Sequence, residues 1–234
     1  SFVNPKLVPG MADAEDVVRG IRMQPGVRYT GLWLNRRGFE RALAAGRLFL
    51  EGSIVLSGSE AFLARHQNRR GVDQAAEQHA LVELYQKHGV PIDSGFIMAA
   101  FGCNFEGDVA ADRVVRLVGE SLEIGAQHGV TVRAVTLADT MAWATPQSIK
   151  RVVGAVRTVY PQLAIGLHLH DTRGMGIANA FAGLEMGVAK FDASAAGLGG
   201  CPFAGHSGAA GNVCTEDLVF MCEEMGIRTG VDLE

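Results

Sequence analysis

Thr145-Pro146-Gln147-Ser148-Ile149-Lys150-Arg151-Val152-Val153-Gly154-Ala155-Val156, followed by Ala164-Ile165-Gly166-Leu167-His168-Leu169-His170, decides the fold. In the first segment Ile149, Val152, Val153 and Val156 fall at i, i+3, i+4 and i+7, the spacing of one apolar helix face. Thr145 is placed as N-cap and Pro146 at the first helical position, where a missing N–H costs nothing. The second segment is a short apolar run that reads as a strand. A helix followed by a strand is one step of a βα repeat, and the same alternation extends in both directions. Further strands are expected at Tyr29 to Leu34, Leu48 to Leu56, Gly95 to Phe101, Val132 to Ala138 and Lys190 to Ser194. Asp108 is expected to open a helix striped by Val114, Val115, Val118 and Leu122, with Gly129 closing it. No linker or low-complexity tract interrupts the pattern, so residues 1–234 read as a single domain. A closed (β/α) barrel is favoured over an open doubly wound sheet.

Composition narrows the partners. The 234 residues are 48% hydrophobic and 20% charged, which supports a substantial core. The formal charge of −4 arises from 21 basic and 25 acidic residues without a run of either sign. That distribution lacks the footprint expected of a nucleic-acid or anionic-membrane binder and leaves a small molecule as the expected partner. No apolar run approaches the roughly 18–20 residues of a membrane span. Ser1-Phe2-Val3-Asn4-Pro5 has no basic-then-apolar signal pattern, and a cytoplasmic protein is expected. Cys103, Cys201, Cys214 and Cys222 form no C-x-x-C pair and fit reduced thiols.

In a barrel, the carboxyl ends of strands and the loops after them line the site. The residues with chemistry sit there: Asn35, Cys103 and Glu106, Asp139 and Thr140, His168 and His170, and the Gly197 to Asn212 loop. Histidines at i and i+2 of a strand project from one face with Cα atoms about 6–7 Å apart, so both imidazoles can reach one ion. Gly197, Gly199 and Gly200 give the loop that carries Cys201 the freedom a closing segment needs.

These residues resemble the HMG-CoA lyase family, part of a larger group of metal-dependent barrel lyases and acyl-CoA condensing enzymes. The resemblance runs through Ser1 to Lys6 with Val8-Pro9, Asn35 before Gly38-Phe39-Glu40, Gly102-Cys103 with Glu106-Gly107, and Asp139-Thr140 with Thr145-Pro146. Its most specific blocks are His168 to Gly174, Gly197 to Ala204 and Gly211 to Asp217. It implies a (β/α)8 TIM barrel, a divalent Mg²⁺ or Mn²⁺ held by His168, His170 and Asn212, an acyl-CoA thioester substrate and a homodimer. It also implies that Cys201 is the loop thiol required for cleavage. On this reading 3-hydroxy-3-methylglutaryl-CoA, or a longer 3-hydroxy-3-alkylglutaryl-CoA, is split into acetoacetate, or its homologue, and acetyl-CoA. His168 serves as ligand and proton acceptor, Cys201 as proton donor to the enolate carbon, and Asp139 shapes the site through hydrogen bonds. An acyl-CoA condensing synthase and a noncatalytic acyl-CoA-binding protein are the alternatives. The Gly199-Gly200-Cys201-Pro202 segment speaks against the synthase.

Four departures stand out. The family's Asp-Arg-Asp-Gly-like strand, which supplies a carboxylate ligand and an arginine, is not in these 234 residues, so the barrel is expected to lack its first strand. The family's final helix and CoA-contacting tail are likewise missing. Gly205 to Ala210 make the loop slightly long, with His206 on it, and Arg173 replaces an aromatic or small residue. Arg36 and Arg37 read as a solvated edge, and His66, His79, His88 and His128 receive no functional role. Cys103, Cys214 and Cys222 are read as structural.

Overall fold

The computed structural model describes residues 1–6, 8–66, 71–200 and 210–233. Five parallel strands form the central sheet: β1 (Gly52–Ser57), β2 (Ile92–Met98), β5 (Ala134–Ala138), β6 (Ala164–His168) and β7 (Lys190–Asp192). The short pair β3 (Gly102–Cys103) and β4 (Gly107–Asp108) makes an antiparallel hairpin after β2. Spatial order follows chain order, β1-β2-β5-β6-β7, without a reversal. A doubly wound sheet reverses at its switch point and takes helices on both faces, whereas barrel winding steps always in one direction. The chain therefore has the α/β architecture of a (β/α) barrel. Among the described residues no hydrogen bonds close the sheet on itself.

Alternation along the strands separates two faces. Ile54, Leu56, Ile97, Val135, Leu137, Ile165 and Leu167 pack outward in one core with helix residues Val114, Val118, Ile149, Val152, Val153 and Val156. The helices concerned are α5 (Ala111–Gln127) and α6 (Pro146–Val159). Gly183 of α7 (Gly176–Glu185) lies against Leu167 and Phe191, leaving no room there for a larger residue. The opposite face carries Ser53, Ser94, Phe96, Thr136, Lys190 and Asp192, which line a cavity of about 270 Å³. An N-terminal cluster of Phe2, Val18, Trp33, Phe39 and Tyr85 docks α1 (Ala14–Gly20) and α2 (Arg36–Ala45) against α4 (Gly71–Lys87). It is pinned by the Trp33 indole donating to the Tyr85 hydroxyl at 2.7 Å.

Several expectations shift. Tyr29 to Leu34 is not a sheet strand: its Tyr29 and Leu32 carbonyls accept instead from the Phe49 and Phe2 amides. The segment expected at Leu48 to Leu56 pairs only from Gly52, and the one expected at Gly95 to Phe101 begins three residues earlier at Ile92 and ends at Met98. Asp108 opens no helix, since it lies in β4 opposite Gly102 and α5 starts after Ala110. The polar side of β1 is covered from α4. Gln78 Oε1 accepts from the Val55 amide at 2.9 Å and Gln74 Nε2 donates to the Val55 carbonyl at 3.0 Å. Gln74 Oε1 also accepts from the Ser57 amide at 3.3 Å. Among the described residues no helix is long and apolar enough to cross a membrane.

The α6 start agrees with the sequence and adds a detail. Thr145 accepts from the Ser148 amide, and Ser148 Oγ accepts in return from the Thr145 amide at 2.8 Å, a reciprocal capping box. Thr145→Ala should therefore lower unfolding free energy by about 1 kcal/mol in urea titration, while Thr145→Ser should lose far less.

Candidate active site

The ladder fixes which residues meet at the carboxyl edge. In register, Ala138 of β5 lies beside His168 of β6, and His168 beside Asp192 of β7. Backbone bonds continue past the strand ends: Ala100 N–H donates to Ala138 O at 2.9 Å and Asp139 N–H to His168 O at 2.8 Å. The loop after β6 is joined to the segment before α8 (Thr215–Glu224) by a bridge between His170 and Asn212. Val213 N–H to Leu169 O and Asp171 N–H to Gly211 O extend that pairing. Gly211 is packed so closely on Gly199 that no side chain fits there.

The two histidines face each other. His168 Nε2 and His170 Nε2 are 3.2 Å apart. His168 Nδ1 lies 3.2 Å from Asp192 Oδ2, and His170 Nδ1 lies 2.8 Å from the Thr140 carbonyl oxygen. Both outer partners are pure acceptors, so in the neutral rings the proton belongs on each Nδ1. Both Nε2 lone pairs then converge. Two lone pairs at that distance repel unless a cation or proton lies between them. Two cis ligands about 2.1 Å from one ion stand about 3.0 Å apart, close to what is seen. Burial, helped by the charge of His168, lowers the His170 pKa to about 4, so this imidazole is neutral at ordinary pH. The backbone bridge sets Asn212 opposite His170, the Asn212 carboxamide raises the His170 pKa against that burial, and its Nδ2 donates to the Leu198 carbonyl at 2.7 Å. Two imidazoles with acceptors on their far nitrogens and one amide oxygen are a donor set that fits a divalent ion. Among the described residues no third His, Cys, Asp or Glu joins them.

Asp139 is fully buried beneath this pair. Its Oδ1 accepts from the Trp143 and Ala144 amides at 2.7 and 3.0 Å, while Oδ2 has no partner among the described residues. Burial raises its pKa to about 6; the Ala144 and Trp143 amides and the charges of Arg173 and His168 pull the other way. Arg173 holds the same turn from outside, donating from Nη1 to the Met141 and Ala142 carbonyls. Ala99, Ala142 and Ala196 adopt φ of 49°, 53° and 53° in the loops after β2, β5 and β7. A left-handed non-glycine residue costs about 1–3 kcal/mol and persists only where its surroundings over-determine it.

The structure thus brings together Asp139, Thr140, His168, His170 and Asn212. Cys201 and His206 lie outside the described residues. Asn35 caps α2, its Oδ1 accepting from the Gly38 amide at 2.9 Å. Arg36 pairs with Glu40 on the surface of the same helix. Cys103 is buried, its Sγ 3.0 Å from Ser59 Oγ, and Glu106 accepts from the Ala61 amide. Sequence reasoning missed Asp192 as the orienting acceptor of His168. Its only sign was a carboxylate at the end of the strand predicted next to His168.

A family model described as HMGL-like matches residues 8–234. The chain belongs to this family. It is 39% identical over 235 residues to the mitochondrial hydroxymethylglutaryl-CoA lyase of Gallus gallus, covering 100% of this chain and 75% of that protein. Among solved structures it is similar to the hydroxymethylglutaryl-CoA lyase of Pseudomonas aeruginosa, with a TM-score of 0.85 and 38% identity over 99% of this chain and 74% of that one. It is also similar to an HMG-CoA lyase from Acinetobacter baumannii in complex with coenzyme A and 3-methylmalate, with a TM-score of 0.84 and 39% identity over 99% and 72%.

The buried carboxyl gives a pH test. The folded pKa of Asp139 lies above the ordinary aspartate value of 3.8, so the native state binds more protons between that value and about 6. The group's stabilising contribution is present at low pH and lost as pH rises through about 6. Asp139→Asn, which cannot ionise, should gain relative to the parent as metal-free protein is moved from about pH 4 to about pH 7.5, as read by denaturant unfolding. A constant difference across that range would contradict the buried-acid description.

Proposed function

We propose that this chain, residues 1–234, is the catalytic domain of a carbon–carbon lyase. It cleaves 3-hydroxy-3-methylglutaryl-CoA, or a close 3-hydroxy-3-alkylglutaryl-CoA, to acetyl-CoA and acetoacetate or its homologue. The observation that carries the site assignment is the pair of Nε2 lone pairs 3.2 Å apart, each ring oriented by an acceptor on Nδ1. His168, His170 and Asn212 are assigned as the residues that hold Mg²⁺ or Mn²⁺. The chemistry supplied by the bound ion is Lewis-acid polarisation of the substrate hydroxyl and carboxylate oxygens.

The remaining work falls to side chains. The tertiary hydroxyl loses its proton, the bond between the hydroxyl carbon and the thioester α-carbon breaks, and the electron pair passes to the thioester as an enolate. Cys201 is assigned to protonate that enolate carbon. His168 is assigned as ligand and as proton acceptor; both use Nε2, so they cannot be simultaneous. Asp192 on Nδ1 stabilises the imidazolium whenever Nε2 is protonated. Asp139 holds the turn whose Thr140 carbonyl orients His170, and we count it with Cys201 and His168 in the catalytic set. Asp171, one residue past His170, accepts from the Gly176 amide at 2.6 Å and so serves α7 rather than the ion.

We further propose a cytoplasmic homodimer. Unbridged Cys103, Cys214 and Cys222 suit a reducing compartment. Exposed Phe181 and Phe220 offer apolar surface for a second copy.

Cys201→Ala should retain metal while turnover of 3-hydroxy-3-methylglutaryl-CoA falls about 10²-fold or more, measured by acetyl-CoA release. Unchanged turnover would remove the thiol from the reaction. For the ligand set, His170→Ala should lower metal content after dialysis about 10-fold or more, and metal content equal to the parent's would exclude His170.

A further inference from the structure

The β3–β4 hairpin presents Asn104 and Phe105 beside the site, and two guanidiniums rest on these successive residues. Arg173 donates from Nη2 to Asn104 Oδ1 at 3.3 Å, and the same oxygen accepts from the Trp143 indole at 2.8 Å. Its Nη1 bonds the Met141 and Ala142 carbonyls at 2.6 and 2.9 Å, and its Cζ lies 5.7 Å from the Trp143 ring centroid. Arg65, in α3 (Glu60–His66), places its Cζ 4.3 Å from the centroid of Phe105.

Every one of these partners is uncharged. A guanidinium has five N–H donors, and Arg173 commits three, so Nε–H and one Nη2–H remain on neighbouring nitrogens. Both arginines are exposed, and among the described residues neither is paired with a carboxylate. The nearby acids are engaged elsewhere: Glu106 accepts from the Ala61 amide at 3.2 Å, and Glu60 pairs with Arg113 at 3.4 Å. Asp139 feels the charge of Arg173 but is buried with its ionisation disfavoured, and no carboxylate bonds either guanidinium among the described residues. Two cations held in place by neutral hydrogen-bond and ring partners are preorganised for an anion and give up little conformational entropy on binding one.

We propose that Arg173 and Arg65 form an anion-recognition rim at the mouth of the site, which takes a phosphate or carboxylate group of the incoming acyl-CoA. This rests on the lyase reading for the identity of the ligand but not for the chemistry of the rim. Two parts of such a substrate carry the required charge: the phosphates of its nucleotide end and the free carboxylate of its acyl end. The turn gripped by Arg173 is the one that carries Thr140 and Asp139, so an anion bound at the rim is also registered against the catalytic face.

The test is calorimetric titration of the 1–234 chain and of Arg173→Gln, Arg173→Lys and Arg65→Gln with three probes. These are CoA, pantetheine as its phosphate-free thiol arm, and glutarate as a dicarboxylate. Either glutamine variant should weaken CoA or glutarate about 10-fold, with pantetheine unchanged and Arg173→Lys intermediate. Loss confined to CoA assigns the rim to phosphate, and loss confined to glutarate assigns it to carboxylate. Equal loss on all three probes would mark Arg173 as a brace for the turn and overturn the proposal, as would unchanged anion affinities or a parent chain that binds neither anion. Arg65→Gln breaks no described backbone bond, so it keeps the test decisive if Arg173→Gln unfolds. Binding is read without turnover. Arginine-dependent CoA binding without cleavage of the thioester by the full-length protein refutes the lyase reading alone.

Discussion

Two hydrogen bonds on the far sides of a pair of imidazoles govern this site. The Thr140 carbonyl takes the Nδ1 proton of His170, and Asp192 takes that of His168. Rotating either ring by half a turn would set a ring C–H against the acceptor in place of the N–H and take the Nε2 lone pair away from the other ring. The acceptors are not local to the histidines. Thr140 belongs to the loop after β5 and Asp192 to β7, so the tautomers are set by the strands on either side of β6. A slip of one residue in either ladder would replace Asp192 or Thr140 with a different group and turn the histidine face inside out. The parallel register is thus the first condition of the chemistry, and the core of Ile54, Ile97, Leu137 and Leu167 is what enforces it.

Strain and bracing are concentrated on the same edge of the sheet. Ala142 sits in a left-handed conformation between Met141, whose carbonyl Arg173 binds, and Trp143, whose amide Asp139 binds. Those contacts hold the turn open in a shape alanine would otherwise avoid. The Oδ2 of Asp139, without a partner among the described residues, belongs to the same economy of placement: the carboxyl holds the turn through Oδ1, and burial disfavours its charge.

The regular part of the fold was readable because it depends on local rules. The α6 start follows from Thr145 and Pro146, and the strands of the sheet from apolar runs, because capping and burial act within a few residues. Tyr29 to Leu34 misled for the same reason. It has the composition of a strand, but strand status requires a neighbour, and its carbonyls are taken by single amides of Phe2 and Phe49. Asp108 has a capping side chain, yet hairpin pairing with Gly102 claimed its backbone. At the site, His168, His170 and Asn212 stood out through spacing and family likeness, whereas Asp192 and the Thr140 carbonyl did not. A backbone carbonyl carries no residue signature, and Asp192 acquires its meaning only from the register of β6 with β7. Asn35, a polar residue at a loop position, spends its Oδ1 on capping α2.

The two glutamines of α4 that reach the outer margin of β1 have an effect beyond local satisfaction of the backbone. An open ladder of amides and carbonyls would template growth by any extended segment it met, including that of another copy. Gln74 and Gln78 occupy those positions with side-chain amides, which present the same donor and acceptor pattern but cannot propagate it. Among the described residues no strand pairs with that margin of β1, and recruitment of one there would first require both glutamines to release Val55 and Ser57.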